Sequence, residues 1–215
     1  MRKSLIGYAA VLAVVGGVVV TSTAGAHSRS AQATLRDASG QEIGKVKFVD
    51  AHGATEVKMN IGRGSAAATD AFHGFHIHAN ADAAGCVADS AQLSNTWFVS
   101  AGGHWKSGTQ THGQHLGDMP SVFVNADGSV ETRFTISRIA LSELAGKAVV
   151  LHAGADNFGN VPIGIAADQY KENSADAITK TQNTGNAGDR IACGVIARHP
   201  GRSPSTHLSL PWSRP

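Results

Sequence analysis

His76 and His78 stand two residues apart in Gly74-Phe75-His76-Ile77-His78, inside a proline-free run from Ala71 to Ala79. Phe72, Phe75 and Ile77 make this run strand-compatible, and in a strand alternate residues share a face. The two imidazoles therefore lie side by side, with Phe75 and Ile77 turned the other way, into a core. Two nitrogen donors on a stiff element are half of a transition-metal site. More donors follow. His104, His112, His115 and Asp118 crowd into one stretch, and the last three have chelating spacing. Three imidazoles and a carboxylate are an allowed tetrahedral zinc set. His152 ends the apolar run Ala148–Leu151, where it can meet His76 and His78. Several neutral imidazoles together suit copper or zinc. Asp156, four residues beyond, is a candidate acceptor for a ligand ring N–H. His73 reads as a packed, hydrogen-bonded position, and His52, His199 and His207 as surface decoration.

These donors need elements to hold them. From Ala31 the chain alternates in short runs, Ala31–Asp37, Glu42–Val49 and Glu56–Ile61, separated by turns at Ser39-Gly40 and His52-Gly53. Strands resume at Ser121–Asn125 and Ser129–Ile136 across Asp127-Gly128, then at Ala148–His152 and Arg190–Ala197. Ser142–Ala145 reads as a short helical turn. Strands at this spacing predict an all-β sandwich or barrel. Two long stretches, Asn80–Gly117 and Ala153–Asp189, carry no strand pattern. Loops of that length in a compact domain are usually functional. Both start just after a histidine-bearing strand, which places them to fold over the histidine face.

The first residues address the chain. Arg2-Lys3, an apolar Leu5–Val20 and Ala24-Gly25-Ala26 have the layout of a cleaved secretory leader over 1–26. An uncleaved anchor is the alternative, since the apolar run approaches the ~20 residues of a spanning helix. Cleavage would make His27 the amino terminus, a position read as incidental. Without Arg2 and Lys3 the chain has 16 basic residues against 16 acidic, which speaks against a nucleic-acid or polybasic membrane binder. Hydrophobic residues make up 42% of the chain, enough for a core, and 25 glycines suit short strands and many turns. Cys86 and Cys193 are the two cysteines, and an even pair in an exported protein reads as a disulfide, with two buried thiols as the alternative. The residues after 197, with Pro204, Pro211 and Pro215, read as a loose tail over 198–215.

From Ala31 to Ala197 the chain resembles the copper/zinc superoxide dismutases, in particular secreted bacterial ones. The motifs that carry the resemblance are His73-Gly74-Phe75-His76-Ile77-His78, Ser100-Ala101-Gly102-Gly103-His104, His115-Leu116-Gly117-Asp118 and Val149-Val150-Leu151-His152 with Asp156-Asn157. The most specific is Gly185-Asn186-Ala187-Gly188-Asp189-Arg190-Ile191-Ala192-Cys193-Gly194-Val195-Ile196. The resemblance implies an eight-stranded Greek-key β-sandwich or flattened barrel, immunoglobulin-like, with two long functional loops over 27–197. It implies one copper per subunit on His76, His78, His104 and His152, and one zinc on His104, His112, His115 and Asp118. His104 would bridge the metals, Asp156 would link a copper ligand to a zinc ligand, and Arg190 would guide the substrate anion. Cys86 and Cys193 would pin the metal loop to the last strand.

The implied activity is that of an exported superoxide dismutase, secreted or periplasmic, converting superoxide to dioxygen and hydrogen peroxide by Cu(II)/Cu(I) cycling. Lys171 and Lys180 could add to its positive field. Two departures stand out. Gly113 and Gln114 alone separate His112 from His115, where many relatives carry a longer insert, and Ala81 replaces a frequent glycine. The alternatives are a copper/zinc-binding module without turnover and a copper-only dismutase. A metallohydrolase is weakest, since no H-E-x-x-H motif is present. A homodimer is compatible with the resemblance; no interface patch stands out in the sequence.

Overall fold

A computed structural model describes residues 30–64, 69–80, 85–157 and 175–199. The segment 1–26 and most of the 198–215 segment, with His27, Ala81, Lys171 and His207, lie outside the described residues.

The first three strands, β1 (Ser30–Asp37), β2 (Glu42–Ala51) and β3 (Ala54–Ile61), form an antiparallel meander. Alternation decides which face they bury. Ala31, Ala33 and Leu35 meet Val46, Phe48, Val57, Met59 and Ile61 in one apolar core, while Lys45, Lys47 and Lys58 point outward. The chain then enters β4 (Ala71–His73) and β5 (Phe75–His78), which are one strand broken at Gly74. Next come β6 (Val122–Val124), β7 (Val130–Ile136), β8 (Ala148–His152), β9 (Arg190–Val195) and β10 (Ala197–His199). The last two are also one strand, broken at Ile196. The ten segments among the described residues thus make the expected eight strands.

The main sheet runs β5-β8-β9-β1-β2-β3-β7, with β10 also on β1, and a second ladder joins β4 to β6. Because β4 continues into β5, the two ladders are joined through one strand, and the antiparallel sheet curls into a half-barrel. The chain crosses from β3 over to β4 and later from β7 back to β8, passing intervening strands each time. Those two crossovers make the topology a Greek key. The last strand reaches His199, two residues past the expected limit of 197, because β10 pairs with β1.

β8 is buried along its whole length. Val149 and Leu151 belong to the main core, while Ala148 and Val150 pack with Phe98, Ala101 and Cys193 in a second cluster. Both faces are covered, which is why its sequence is continuously apolar instead of alternating. The cover comes from the segment after Cys86, and the Cys86–Cys193 disulfide fastens that segment to β9.

The second long loop departs from its expected form. It contains a helix, α1 (Ala175–Thr184). Its sequence shows no apolar stripe at helical spacing, so periodicity gave no signal. Among its described residues the first loop holds only short 3-10 turns, at Ser94–Thr96 and Val99–Ala101, and the helical turn expected at Ser142–Ala145 is a 3-10 turn at Leu141–Glu143. No helix among the described residues is long and apolar enough to cross a membrane.

Candidate metal centre

β5 buries Phe75 and Ile77 in the core and turns His76 and His78 to its other face, as alternation requires. The loop then extends the sheet along the free edge of β5. Ile77 N–H donates to the Gly117 carbonyl at 2.8 Å, and Trp105 N–H donates to the Ile77 carbonyl at 2.9 Å. This brings His104 opposite His78 and Asp118 opposite His76. Gly117 must be glycine here, since a β-carbon would collide with the Ile77 carbonyl. His152, at the end of β8, arrives from the neighbouring strand.

Two clusters of donor atoms result, each within 4.8 Å: His76, His78, His104 and His152, and His76, His104, His112 and Asp118. His115 joins the second, with Nδ1 3.3 Å from His104 Nδ1 and 3.2 Å from Asp118 Oδ1. All these residues are buried.

Backbone carbonyls orient the rings. His78 Nδ1 lies 2.8 Å from the Gly102 carbonyl, and His152 Nδ1 lies 3.1 Å from that of Gly188. A carbonyl only accepts, so both rings carry the proton on Nδ1 and present a bare Nε2. Those two bare nitrogens face each other at 3.4 Å. His115 is turned the other way, with Nε2 3.1 Å from the Gln110 carbonyl, leaving Nδ1 bare. His76 Nδ1 and His104 Nε2 are buried without a hydrogen-bond partner. Orphaned lone pairs converging in a dry site are costly unless a cation sits among them.

The second cluster fits zinc in its spacing. Asp118 Oδ1 lies 3.0 Å from His104 Nδ1, 3.3 Å from His112 Nδ1 and 3.2 Å from His115 Nδ1. Ligands about 2.0–2.1 Å from a tetrahedral zinc stand roughly 3.3 Å apart. The other carboxylate oxygen, Oδ2, accepts from the amides of Gly113 (2.6 Å) and His115 (3.1 Å), which fixes its direction. His112 is set by α1: its N–H donates to the Gln182 carbonyl at 2.7 Å, and Gly185 leaves room for its ring. Asp156 lies between the clusters, its Oδ1 2.9 Å from His76 Nε2 and 3.5 Å from His112 Nε2. Ser121 steadies it by donating to Oδ2 at 2.7 Å.

Protonation follows the burial. Desolvation drives His104 down to about 4 and His152 to about 3, and pushes His78 well below the ordinary histidine value. These rings are therefore neutral near pH 7, the form that binds metal. Burial opposes the charge of Asp118, but hydrogen bonds from His104 and His112 outweigh it and hold the carboxyl far below its usual range. The same opposition, decided by the His76 contact, keeps Asp156 ionised.

Arg190 starts β9 beside the first cluster. Its Nη1 donates to the Phe98 carbonyl at 2.5 Å and its Nη2 to that of Gly102 at 2.6 Å. The Gly102 carbonyl thus serves both Arg190 and His78. Phe98 carries positive φ (54°), unusual for an aromatic residue, and its buried ring in the second cluster holds it there. Ser94 Oγ donates to Asp189 Oδ2 at 2.5 Å, adding a tie next to Arg190. Sequence reasoning missed Phe98, Gly102, Gly188, Gln110 and Gln182 because they act through backbone carbonyls, and Ser121 and Ser94 because an isolated serine gives no signal. His73 is structural: buried, it donates from Nδ1 to the His152 carbonyl at 2.7 Å. His52 and His199 are exposed, on a turn and on β10, and Lys180 is exposed on α1.

The family model for copper/zinc superoxide dismutase (SODC) matches residues 42–196. The superoxide dismutase [Cu-Zn] of Mycolicibacterium paratuberculosis is 31% identical over 188 residues, covering 84% of this chain and 79% of that protein. The one of Mycobacterium tuberculosis is 34% identical over 175 residues, 79% of this chain and 70% of that protein. Among solved structures, a double mutant of a SOD-like protein from Bacillus subtilis aligns with TM-score 0.55 and 25% identity, over 77% of this chain and 96% of that one. The clock protein EA4 aligns with TM-score 0.56 and 25% identity, over 80% and 95%.

Proposed function

Because this chain belongs to the copper/zinc superoxide dismutase family, whose members are oxidoreductases that use copper and zinc, we propose that it disproportionates superoxide to dioxygen and hydrogen peroxide. One observation carries the reading. His104 belongs to both clusters, with Nδ1 toward Asp118 and His115 and Nε2 orphaned. His76 is also in both clusters but turns its Nε2 to Asp156, whereas His104 has one nitrogen among the zinc-side donors and the other without a protein partner, which suits a pair of metals and has no use in a lone site.

His76, His78, His104 and His152 would hold copper, and His104, His112, His115 and Asp118 would hold zinc. An all-nitrogen set suits copper, and the set with a carboxylate suits zinc. When bound, copper supplies a one-electron couple able both to accept and to donate an electron, while zinc is redox-silent and holds the bridge. Arg190 supplies a permanent cation at the all-histidine cluster, held by two carbonyls so that it meets an incoming anion already oriented. His104 Nε2, facing no protein acceptor, is the atom where a proton is held and passed to the reduced oxygen anion. Asp156 keeps His76 and His112 in register, so that the two clusters move as one.

The leader-like layout of residues 1–26 supports export, and the Cys86–Cys193 disulfide suits an oxidising compartment. The amino-terminal sequence of the mature protein checks this. The functional reading is tested by metal content and superoxide disproportionation before and after copper removal. We expect one copper and one zinc per chain and activity that vanishes with copper. Full metal occupancy without activity would leave a metal-binding module instead.

A further inference from the structure

A cavity of about 260 Å³ opens beside the zinc-side cluster. Its walls include His112, Asp118, Asp156, Met119, Pro120 and Arg138. His78, His152 and Arg190 do not reach it, so it is separate from the side of the site where the substrate anion would arrive. The side-chain exposures agree: His112 and Asp118 keep 7% and Asp156 4%, whereas His104 keeps 1% and His76 and His115 keep 0%. Of the zinc-side rings, His112 lines the cavity and His104 and His115 do not. Arg138 stands at this cavity with an exposed side chain, tethered by Nε to the Leu116 carbonyl at 3.3 Å, next to Gly117 and Asp118.

We infer that this cavity is the route by which the zinc-side metal exchanges with solvent, with His112 as the outermost ligand and Arg138 as a charge barrier. The inference rests on the zinc assignment made above. A divalent cation crossing the cavity must pass a guanidinium whose charge is permanent. Asp118 and Asp156 stay ionised on the inner wall and favour the ion there, so the repulsion from Arg138 acts on it only at the outer end of the path. The cation is thus held back by charge at the mouth while its ligands remain in place. For charges about 8 Å apart across water, the repulsion changes a rate roughly two- to fourfold at about 10 mM salt and fades as salt rises.

The test is exchange of bound zinc for isotopically enriched Zn2+ in solution, followed by mass spectrometry on the copper- and zinc-loaded full-length protein. Arg138→Gln should exchange about two- to fourfold faster than wild type at low salt, Arg138→Glu faster again, and Arg138→Lys at the wild-type rate. The differences should close at high salt. Arg133→Gln, the same charge change on the outer face of β7, should leave exchange unchanged. Equal rates across the Arg138 series, or acceleration by Arg138→Lys, would overturn the route. A protein that carries no zinc at the start would overturn the zinc assignment, and the route with it. The two failures are therefore told apart by the first metal measurement.

Discussion

Replacing both cysteines, Cys86→Ala with Cys193→Ala, removes the tie that fastens the first long loop to β9. The bridge spans a sequence separation of 107 residues. On the chain-entropy account, opening a loop of that length costs about 4.8 kcal/mol at 25 °C. Cys193 is buried in the cluster with Phe98, Ala101 and Val150, so losing its sulfur adds on the order of 0.5–1 kcal/mol. Against the 5–15 kcal/mol typical of a whole domain, a loss of about 5–6 kcal/mol brings the protein close to its threshold. In guanidinium chloride the midpoint should fall by roughly 1 M. A shift equivalent to less than about 1 kcal/mol would refute the entropic reasoning.

The same variant tests a second link. Val87, beside Cys86, accepts from Phe98 N–H at 3.0 Å, and its own N–H donates to Ser100 Oγ at 3.2 Å. Cys86 therefore anchors the segment whose carbonyls hold Arg190. If that anchoring matters, the surviving folded variant should show a lower disproportionation rate and a flatter dependence on ionic strength, because a loose Arg190 steers anions less well. Measuring rate against salt at a temperature where the variant is fully folded separates this from stability. Destabilisation with an unchanged salt slope would show that Arg190 is held without the bridge.

The metal-stripped protein should lose stability as pH falls. His104 and His152 titrate at about 4 and about 3 in the folded chain, below the ordinary histidine value, so the unfolded chain binds more protons between these values and about 6.5. Stability is then complete above about pH 6.5 and declines, well below it, by up to about 1.4 kcal/mol per pH unit per ring, and thermal melts that stay flat between about pH 7 and pH 5 would contradict this. Gly185→Ala places a side chain against the His112 ring at a backbone position with φ of 64°. It should weaken zinc binding about tenfold or more, as measured by competition with a chromophoric chelator, with a smaller effect on copper.

Much of this architecture is legible in residue order. The alternation in β1, β2 and β3 states which face is buried, and the same alternation puts His76 and His78 together. The Cys pair is legible from its even number and from first residues laid out like a secretory leader. α1 is not, because its residues do not make an apolar stripe; what fixes it is contact, with Thr181 buried and Gln182 engaged by His112. A helix stabilised by the residue it positions leaves its evidence in the tertiary structure. The positive φ of Phe98 is hidden for the same reason: nothing in Trp97-Phe98-Val99 asks for it, and the burial of the ring that compensates it depends on β8 and Cys193.

The histidines show where legibility stops. Their types and spacing announce metal chemistry, but which nitrogen each ring presents is decided by Gly102, Gly188 and Gln110, through carbonyls that every residue possesses. The Gly102 carbonyl does this for His78 and restrains Arg190 as well. A ring proposed to bind copper and the cation proposed to attract the substrate are therefore aligned by one oxygen. That sharing makes their geometry interdependent: a loop shift that releases Arg190 also frees His78 to rotate. A change in this loop should therefore register both in the salt dependence of the rate and in the spectrum of the bound copper, whereas a change confined to the Arg190 side chain should register in the first alone.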